Sequence, residues 1–407
     1  MGKSNFKIIT HKNEEVHSIC FALILPIGAI NDPVGKAGIT HLIEHMSFRK
    51  AGILKQKEIY SKCEELGVFI HAVTGKNFLQ YDFICRKEVF SEMISIFDKM
   101  LNEIDYSEED LMLEKKVVLA EISRRVYSYS EKLTNYLWNE ENYSNIILGT
   151  KESVQNITLE DIISFKKHIL SHEGIIFLVG NFGENDFKIA ENISTKSLNI
   201  KKEQSFNTIK KNISKINFFK DKGNYCDIYY AFHFDLRGKN KIKNIILMQM
   251  LESILFEGNA AYLKEVMREE KGYVYEFDSY INIIGDELVF LFNYEIDKLM
   301  SVDSIKELEK NLSKFTVNEK YLRYIKAFHC DNYDMIYDNI YDLFYDYIKN
   351  YLYFGDVISP KEYSDIVLKL ISDDFSMFFS KMSKEKKVFV CGELNKSQKK
   401  EISLCLI

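Results

Sequence analysis

The sequence predicts an α+β protein made of two similar halves, and three observations support this fold class. In residues 1–200, strand-like runs come first and helical patterns follow, an order typical of helices packed on a sheet. Residues 201–224 are rich in Lys, Asn and Ser and show little periodicity, which indicates a basic linker. The same order of elements begins again in residues 225–407. We therefore expect an N-terminal domain and a homologous C-terminal domain, each an antiparallel or mixed sheet covered by helices.

Each half shows a similar succession of predicted elements. The first opens with a strand over 18–27, which ends in a turn containing Gly28 and Pro33. For the rest of that half we predict helices at about 38–48, 56–66, 88–104, 108–126 and 159–170, and strands near 68–73, 79–85 and 174–179. For the second half we predict strands near 227–235, 274–281 and 287–294, helices at about 241–256 and 260–269, and long helices after them.

Composition and charge exclude several classes of protein. The chain has 407 residues, 46% of them hydrophobic and 28% charged, which predicts about two or three globular domains rather than a disordered or fibrous chain. Its formal charge of −6 argues against nucleic acid as the main partner. We expect no signal peptide and no membrane span, and the seven scattered cysteines suit a reducing compartment. The sequence therefore indicates a cytoplasmic protein.

The strongest local signal is the pentad His41-Leu42-Ile43-Glu44-His45, which has the form H-x-x-E-H. At 100° per residue on a helix, the two histidines and the glutamate share an arc of about 100°. Two imidazoles one turn apart can bind one zinc ion, which in catalytic sites keeps an open position for water. Glu44 lies beside that position and can take a proton from the water. The pentad therefore predicts an inverzincin-type hydrolase site, for which a third protein ligand is also needed.

Residues 38–48, which contain this pentad, resemble the opening helix of the pitrilysin/insulinase family of zinc peptidases, which includes the mitochondrial processing peptidase. In that family the third ligand is a glutamate about 76 residues after the second histidine, and Glu121 occupies this position. The family also has an acidic residue two turns earlier, where this chain has Glu114. A seven-residue step places both glutamates on one side of a helix, so Glu121 can ligate while Glu114 orients a ligating histidine. The resemblance implies a zinc ion with three protein ligands, His41, His45 and Glu121.

The resemblance extends into the second half, where residues 258–275 are similar to the family's glycine turn, helix and R-x6-Y element. It implies that Arg268 and Tyr275 hydrogen-bond the substrate carbonyl and stabilise the oxyanion. Without the resemblance, these two residues would be interpreted as an ordinary surface charge and an ordinary strand residue. The second half contains no H-x-x-E-H pentad, so we expect one active site per chain.

Two segments depart from the family pattern. The family usually has an Asn-Ala-x-Thr edge strand that pairs with the substrate backbone, and this chain has His71, Ala72, Val73 and Thr74 there. We still expect this strand to bind substrate, although the histidine makes the side-chain contact either absent or sensitive to pH. After the pentad the family tends to continue Phe-Lys-Gly-Thr, whereas this chain continues Phe48-Arg49-Lys50-Ala51-Gly52.

These features lead us to expect a zinc endopeptidase that cleaves peptides or unfolded segments inside a closed dimer chamber. The chain is about half as long as the family's single-chain members, which implies that it pairs with a second subunit. A homodimer is favoured because both the metal site and the Arg268/Tyr275 element are present, and a heterodimer with a related subunit is the alternative. Two other functions stay open: a dedicated protease that removes leader peptides from a ribosomally made natural product, or a non-catalytic scaffold or partner subunit.

Three further groups of residues allow two interpretations each. His168 and His172 lie four residues apart near a predicted helix end, where a surface or capping role is favoured over a metal pair. The segment His329-Cys330-Asp331 is also expected to be structural rather than a ligand cluster. A tyrosine at every fourth position favours packing between helices, with the lining of a peptide chamber as the alternative, at Tyr333, Tyr337, Tyr341 and Tyr345.

Overall fold

The computed structural model describes residues 6–124, 133, 137, 146–193, 214–238, 240–258, 261–384 and 386–406. The chain divides into two compact units, the first formed by 1–209 with 340–347 and the second by 210–339 with 348–407. Most of the expected linker lies outside the described residues, as do Asn259 and Ala260 of the expected glycine turn. The domain limits 1–200 and 225–407 therefore stay a prediction. In the described part of the chain, no helix has the length and apolar character that a membrane crossing requires.

The first unit contains a five-stranded sheet and a short two-stranded ribbon. The sheet strands are Lys7–Lys12 (β1), Ser18–Leu25 (β2), Phe69–Thr74 (β5), Leu79–Arg86 (β6) and Ile175–Gly180 (β7), and the ribbon joins Lys50–Ala51 (β3) to Leu54–Lys55 (β4). The strand order is β1-β7-β2-β6-β5. β1 and β7 are parallel and the other neighbours are antiparallel, so the sheet is mixed and β5 forms one edge.

Helices pack on the side of this sheet that bears alternate apolar residues of β2. The helices of the unit are Ile39–Ser47 (α1), Gln56–Leu66 (α2), Phe90–Asn102 (α3), Glu108–Arg124 (α4), Lys151–Asn156 (α5), Leu159–Ile169 (α6) and Glu184–Glu191 (α7). Phe21 and Leu23 of β2 belong to the same buried cluster as Leu42 and Met46 of α1. Since this side of α1 faces the core, His41, Glu44 and His45 lie on its opposite side.

The second unit repeats this plan. Its strands are Ile216–Phe219 (β8), Tyr225–Asp235 (β9), Asp278–Ile284 (β10), Glu287–Asp297 (β11) and Lys387–Cys391 (β12). They form a sheet in the order β10-β11-β9-β12-β8, in which β12 and β8 are parallel and the other neighbours antiparallel. Each unit thus has one five-stranded mixed sheet with a single parallel pair. This confirms the predicted α+β class with two similar halves.

Large aromatic side chains fill the core of the second unit. The ring of Tyr230 on β9 stacks on that of Phe292 on β11, with centroids 5.0 Å apart, and Phe256 packs on Phe292 at 4.6 Å. Helices supply the remaining buried apolar residues. They cover Lys241–Phe256, Tyr262–Lys264 continued by the π-helical turn Glu265–Glu270, Ser301–Lys314, Glu319–Met335, Ile340–Phe354, Pro360–Lys369, Ser372–Lys384 and Lys396–Cys405.

The structure differs from the predicted elements in several places. The short strands β1 and β8 were not evident from sequence pattern, because each is stabilised by parallel pairing with a strand more than 150 residues away. The helix expected over 260–269 changes to π-helical geometry at Glu265, and the strand expected near 274–281 begins only at Asp278. The tyrosine repeat does not lie on one helix, since one helix ends at Met335 and the next begins at Ile340.

Candidate metal centre

The start of helix α1 is fixed by a buried aspartate. Gly38 adopts a left-handed conformation with φ of 90°, and the helix begins at the next residue. Asp32 accepts hydrogen bonds from the backbone N–H of Gly38 at 2.6 Å and of Thr40 at 3.2 Å, and from the Thr40 hydroxyl. Burial raises the pKa of the Asp32 carboxyl to about 7, although these hydrogen bonds oppose the shift. Asp32 therefore sets where α1 begins and hence where the pentad lies.

Helices α1 and α4 bring together the three residues expected to bind metal. Ligand atoms of His41, His45 and Glu121 all lie within 4.8 Å of one another. Oε2 of Glu121 is 3.8 Å from Nε2 of His41 and 3.9 Å from Nε2 of His45. Two ligands in a tetrahedral zinc shell are separated by about 3.3 Å, so only a small adjustment separates this arrangement from a zinc site. Two imidazoles and one carboxylate are also the donor types that catalytic zinc uses, so these residues fit the ion.

Exposure is uneven around this cluster. The side chain of His41 is 10% exposed and that of Glu121 is 47% exposed. One side of the cluster is therefore packed against protein, while the side of Glu121 remains open to solvent. A catalytic metal site requires such an open side, because water or substrate must take the remaining position.

A chain of charged side chains orients His45. Its Nδ1 donates a hydrogen bond to Oε2 of Glu114 at 3.1 Å, which leaves Nε2 on the side of Glu121. Arg49 in turn contacts Oε1 of Glu114 at 3.2 Å and Oδ1 of Asp110 at 3.0 Å. Burial lowers the pKa of the His45 imidazole, but the hydrogen bond and the negative charge of Glu114 outweigh it and raise the pKa above its ordinary value.

Glu114 lies beside His45, and Arg49 and Asp110 are further members of this group that the sequence pattern did not predict. In the sequence, Arg49 was noted only as a departure from the family pattern. The spacing of Asp110 and Glu114, one turn apart on α4, together with a cation just after α1, is the signal that could have identified the trio. Arg49 lies 61 residues before Asp110 and 65 before Glu114, so only the packing of the α1 end against α4 brings the three together.

Glu44 lies beside the metal cluster in a mostly buried position. The hydroxyl of Thr74, at the end of β5, donates a hydrogen bond to Oε2 of Glu44. Burial raises the pKa of the Glu44 carboxyl above its ordinary value, and the Thr74 bond and the nearby histidine charges only partly oppose it. A carboxylate whose pKa is raised toward neutrality is a more effective proton acceptor for a reaction near pH 7.

The strand expected to bind substrate is an edge strand beside this cluster. β5 pairs with β6 on one side, and among the described strands none pairs with its other side. Ala72 and Val73 are part of this edge, and Thr74 connects it to Glu44. His71 projects from the opposite face to Thr74 because neighbouring strand residues alternate. An unpaired edge of this kind can accept another extended chain.

An open apolar pocket of about 150 Å³ lies where α1, α2 and β5 meet. Its lining includes Phe48 from the end of α1, Tyr60 and Cys63 from α2, and Phe69 and Ile70 from β5. The pocket therefore borders both the pentad helix and the strand edge. Its size and lining suit a large apolar side chain. The sequence pattern did not predict it, since the lining residues come from three separate elements.

Arg268 and Tyr275 meet each other within the second unit. The guanidinium carbon of Arg268 lies 5.2 Å from the centre of the Tyr275 ring, a cation–π contact. The Tyr275 side chain is strongly exposed, and Arg268 lies in the π-helical turn Glu265–Glu270. The spacing therefore does pair the two side chains. Their expected role toward a substrate carbonyl stays a prediction.

The weaker histidine clusters have structural contacts. The His172 ring lies 4.7 Å from that of His168, and its Nδ1 contacts the His168 carbonyl oxygen at 2.9 Å. His329 contacts the Tyr363 hydroxyl at 2.8 Å and the Ser253 hydroxyl at 3.2 Å. Burial lowers the pKa of His329 to about 4. Within the described ranges, neither group belongs to a set of three possible metal ligands.

The predicted tyrosine stripe is mixed in character. Tyr333 is buried and stacks on Tyr363 with centroids 4.2 Å apart, which agrees with packing between helices. Tyr337, Tyr341 and Tyr345 are each more than one third exposed. A single packing role for all four residues is therefore wrong, because the helix break after Met335 separates them.

Comparisons with known proteins point to one family. A model described as "Insulinase (Peptidase family M16)" matches residues 7–151, and one described as "Peptidase M16 inactive domain" matches residues 156–327. An "Uncharacterized zinc protease" of Rickettsia felis is 25% identical over 395 residues, covering 91% of each chain. A crystal structure of a protease from Helicobacter pylori has a TM-score of 0.82 at 18% identity and covers 96% of this chain and 97% of its own.

A shorter match is to a protein of Schizosaccharomyces pombe named "Probable mitochondrial-processing peptidase subunit beta". It is 20% identical over 195 residues, which cover 46% of this chain and 43% of that protein. The two family models together span more than three quarters of the chain, and the structural similarity spans nearly all of it. The sequence and structural comparisons therefore agree on the family.

Proposed function

Because the chain belongs to the insulinase family of peptidases, peptidase family M16, we propose that it is a zinc-dependent endopeptidase. One observation carries the proposal: His41, His45 and Glu121 converge in the first unit, and Glu44 lies on the same helix as the two histidines. Two imidazoles and two carboxylates in this arrangement match the requirements of metal-assisted peptide hydrolysis.

In the proposed mechanism His41, His45 and Glu121 hold the zinc ion. When bound, zinc polarises the substrate carbonyl and lowers the pKa of water at the site toward about 7. Glu44 accepts a proton from the attacking water and later passes it to the leaving amine, a role for which its raised pKa is suited. Glu114 fixes the orientation of the His45 ring throughout, and Arg49 fixes Glu114.

The free edge of β5 supplies a place for the substrate backbone. In this proposal an extended peptide pairs with residues 71–74, because none of the described strands pairs with the outer edge of β5 next to Glu44. The pocket between Phe48 and Tyr60 accepts one large apolar side chain of that peptide. Arg268 and Tyr275 act as hydrogen-bond donors to the substrate carbonyl, as the resemblance implies.

We propose that the active form is a dimer that encloses the substrate. The chain matches relatives over almost its whole length, and one relative is named as a subunit, which supports function as part of an assembly. A homodimer is favoured because one chain carries all the proposed catalytic residues. A heterodimer with a related subunit is the alternative. A closed chamber would admit peptides and unfolded segments and exclude folded proteins.

A non-catalytic scaffold is the second candidate, and one comparison favours it. The model that matches residues 156–327 is described as an inactive domain. That match begins after Glu121, however, and the possible metal ligands His41, His45 and Glu121 lie entirely within the match to the peptidase model. The intact ligand set and base therefore support catalysis more than a scaffold. A dedicated leader-peptide protease is a narrower form of the same enzymatic proposal.

The proposal is tested with purified full-length protein and a mixture of unstructured peptides of roughly 10–40 residues, a size suited to an enclosed site. Products are identified by mass spectrometry, and zinc content is measured on the same samples. Wild type is compared with Glu44→Gln and with the control Glu109→Gln, an exposed glutamate in the first turn of α4.

We expect Glu44→Gln to retain zinc and to lose at least about 10²-fold in cleavage rate, because the base is removed while the ligands stay. Glu109→Gln should cleave like wild type. Equal cleavage by wild type and Glu44→Gln would contradict the assignment of Glu44. Zinc-loaded wild type that cleaves nothing, alone or with a related subunit added, would favour the scaffold.

A further inference from the structure

A histidine and a buried carboxylate face each other at the edge of the first sheet. His71 of β5 and Asp82 of β6 are register partners in an antiparallel pair, so their side chains project from the same face. Nδ1 of His71 lies 3.4 Å from Oδ2 of Asp82. The His71 side chain is 65% exposed, whereas that of Asp82 is 1% exposed. The pair therefore presents an imidazole to solvent with a buried carboxylate behind it.

Asp82 is held from two further sides. Nε2 of Gln80 donates a hydrogen bond to its Oδ2 at 2.7 Å, and the hydroxyl of Tyr345 donates one to its Oδ1 at 3.2 Å. Tyr345 belongs to residues 340–347, which group with the first unit. Both carboxylate oxygens thus have donors, and the His71 ring lies against the same buried carboxylate. Such fixed surroundings restrict where the His71 ring can lie.

The orientation of this pair determines what it offers to a bound peptide. Because Nδ1 of His71 lies against Asp82, Nε2 is the ring nitrogen left to contact another group. Thr74, on the opposite face of β5, is bonded to Glu44, so the same strand reaches the proposed base. The charge of His71 also acts on the Glu44 carboxyl. Among the described residues, Asp82 on β6 and Glu44 on α1 are charged groups that interact with His71, and the Tyr345 hydroxyl contacts Asp82 from another side.

A peptide added to the edge of β5 places alternate side chains on each face of the sheet. The side chain directly opposite His71 then lies close to the imidazole, since opposite residues of paired strands are about 5 Å apart. We propose that His71 and Asp82 form a specificity site that selects an acidic side chain at this position of the bound peptide. The inference rests on the proposed function, because it requires a peptide paired with β5.

The interaction is an ion pair with a hydrogen bond from Nε2–H of the protonated ring to the peptide carboxylate. Opposite charges directly across neighbouring strands change binding by about 2- to 5-fold. The specificity site requires two residues, the histidine at position 71 and the buried Asp82 opposite it. Cleavage of the peptide is a separate step at Glu44.

The test measures peptide binding separately from turnover. Zinc-loaded Glu44→Gln protein is titrated with fluorescent peptides in which Glu, Gln or Lys is placed at each position in turn. Titrations are made at about pH 5.5 and about pH 8, either side of the range in which histidine side chains titrate. The same protein carrying His71→Asn, His71→Lys or Asp82→Asn is compared with a control carrying His17→Asn, an exposed histidine in the β1–β2 connection.

We expect one peptide position at which Glu binds about 2- to 5-fold more tightly than Gln at the lower pH. His71→Asn should remove this preference, His71→Lys should keep it at both pH values, and Asp82→Asn should weaken it. His17→Asn should leave it unchanged. The absence of any such position, or a preference that survives His71→Asn, would overturn the specificity site.

Parallel turnover measurements with wild type keep the two proposals distinct. A preference in binding without any cleavage would overturn the endopeptidase and support the specificity site. Cleavage without a preference for an acidic residue would support the endopeptidase and overturn the specificity site. Peptides that bind neither protein at any pH would overturn both.

Discussion

The two units share a sheet topology but differ in the helix that follows the first long strand. In the first unit, α1 places His41, Glu44 and His45 on the side opposite the core. In the second unit, the helix Lys241–Phe256 follows β9 and is buried on most of its sides, including the consecutive residues 245–248. A helix that is apolar on most of its faces is buried by packing on all sides, whereas an amphipathic helix can carry catalytic or metal-binding residues on its polar face.

This difference shows that the sheet and helix arrangement does not by itself produce a site. In the part of the chain that the structure describes, the possible three-ligand metal group lies in the first unit. What the first unit adds is a small set of polar residues on α1 and α4 and the cap at Asp32. The second unit instead fills the corresponding region with Ile, Leu and Met side chains. A few residues thus distinguish the unit with the candidate metal centre from a unit of the same sheet topology without one.

Removing a metal ligand from the first unit should reduce zinc binding and turnover more than any other change. Glu121→Gln replaces the carboxylate with an amide, a much weaker zinc ligand, so the protein should lose bound zinc and at least about 10²-fold in turnover. Zinc per chain and peptide cleavage are measured together. The control is Glu109→Gln on the same helix, which should retain both. Full activity in Glu121→Gln would show that α4 does not complete the site.

Replacing Glu114, which contacts His45, should reduce zinc binding less than replacing Glu121. Glu114→Gln removes the charge that orients His45, and we expect zinc affinity to fall by about 10- to 100-fold, as for other groups that hold a metal-ligating histidine. Competition with a chelator measures the affinity. If zinc affinity stays within a factor of two or so of wild type, Glu114 does not support the site.

Substituting one arginine in each unit compares how much their ion pairs contribute to the free energy of unfolding. Arg49 lies between Glu114 and Asp110 in part-buried surroundings, whereas Arg237 of the second unit forms an exposed pair with Asp235. Arg49→Met should reduce the free energy of unfolding by about 1–2 kcal/mol because Glu114 loses a buried partner. Arg237→Met should change it by less than about 0.5 kcal/mol. Urea unfolding measures both, and equal effects would remove this distinction between the units.

A pH-dependent effect concerns a buried lysine beside the end of α1. Lys166 donates to the hydroxyls of Tyr106 at 2.6 Å and Ser47 at 3.3 Å, and burial lowers its pKa from 10.5 to about 7. Between these pH values the unfolded chain binds more protons at this position than the folded chain. Stability from this group therefore rises as pH increases from about 7 to 10.5 and is absent below pH 7.

Lys166→Met should flatten this dependence, by at most about 1.4 kcal/mol per pH unit. Urea unfolding at about pH 7 and about pH 9 measures the slope, and Lys306→Met in the second unit, where the ion pair with Glu401 is exposed, is the control. A slope in Lys166→Met equal to that of wild type would mean that Lys166 is charged in the folded protein throughout this range.

Much of the first unit could be predicted from local sequence pattern. The limits of α2 and β6 agree with the predicted ones within a residue or two, because periodic apolar residues and flanking turns mark them. β1 and β12 could not be found in this way. Each is a short segment whose strand conformation depends on pairing with distant residues rather than on its own pattern.

The candidate site was predictable to the extent that its residues share one helix or one spacing. The pentad depends only on helix geometry. Glu121 and Glu114 were identified through the family resemblance, and the seven-residue step between them agrees with one side of a helix. Arg49, which joins α1 to α4, depends on how two helices pack, and His71 opposite Asp82 depends on strand register. Neither helix packing nor strand register can be inferred from sequence spacing, so these contacts became evident only in the structure.

Zinc binding by the first unit through two imidazoles and a carboxylate is tested by zinc K-edge X-ray absorption of the purified protein, because the spectrum reports the donor atoms around the metal. We expect one zinc per chain with only nitrogen and oxygen neighbours at about 2.0–2.1 Å, and loss of this signal in Glu121→Gln. Sulfur neighbours at about 2.3 Å, or an unchanged spectrum in Glu121→Gln, would contradict the claim and place the metal elsewhere in the chain.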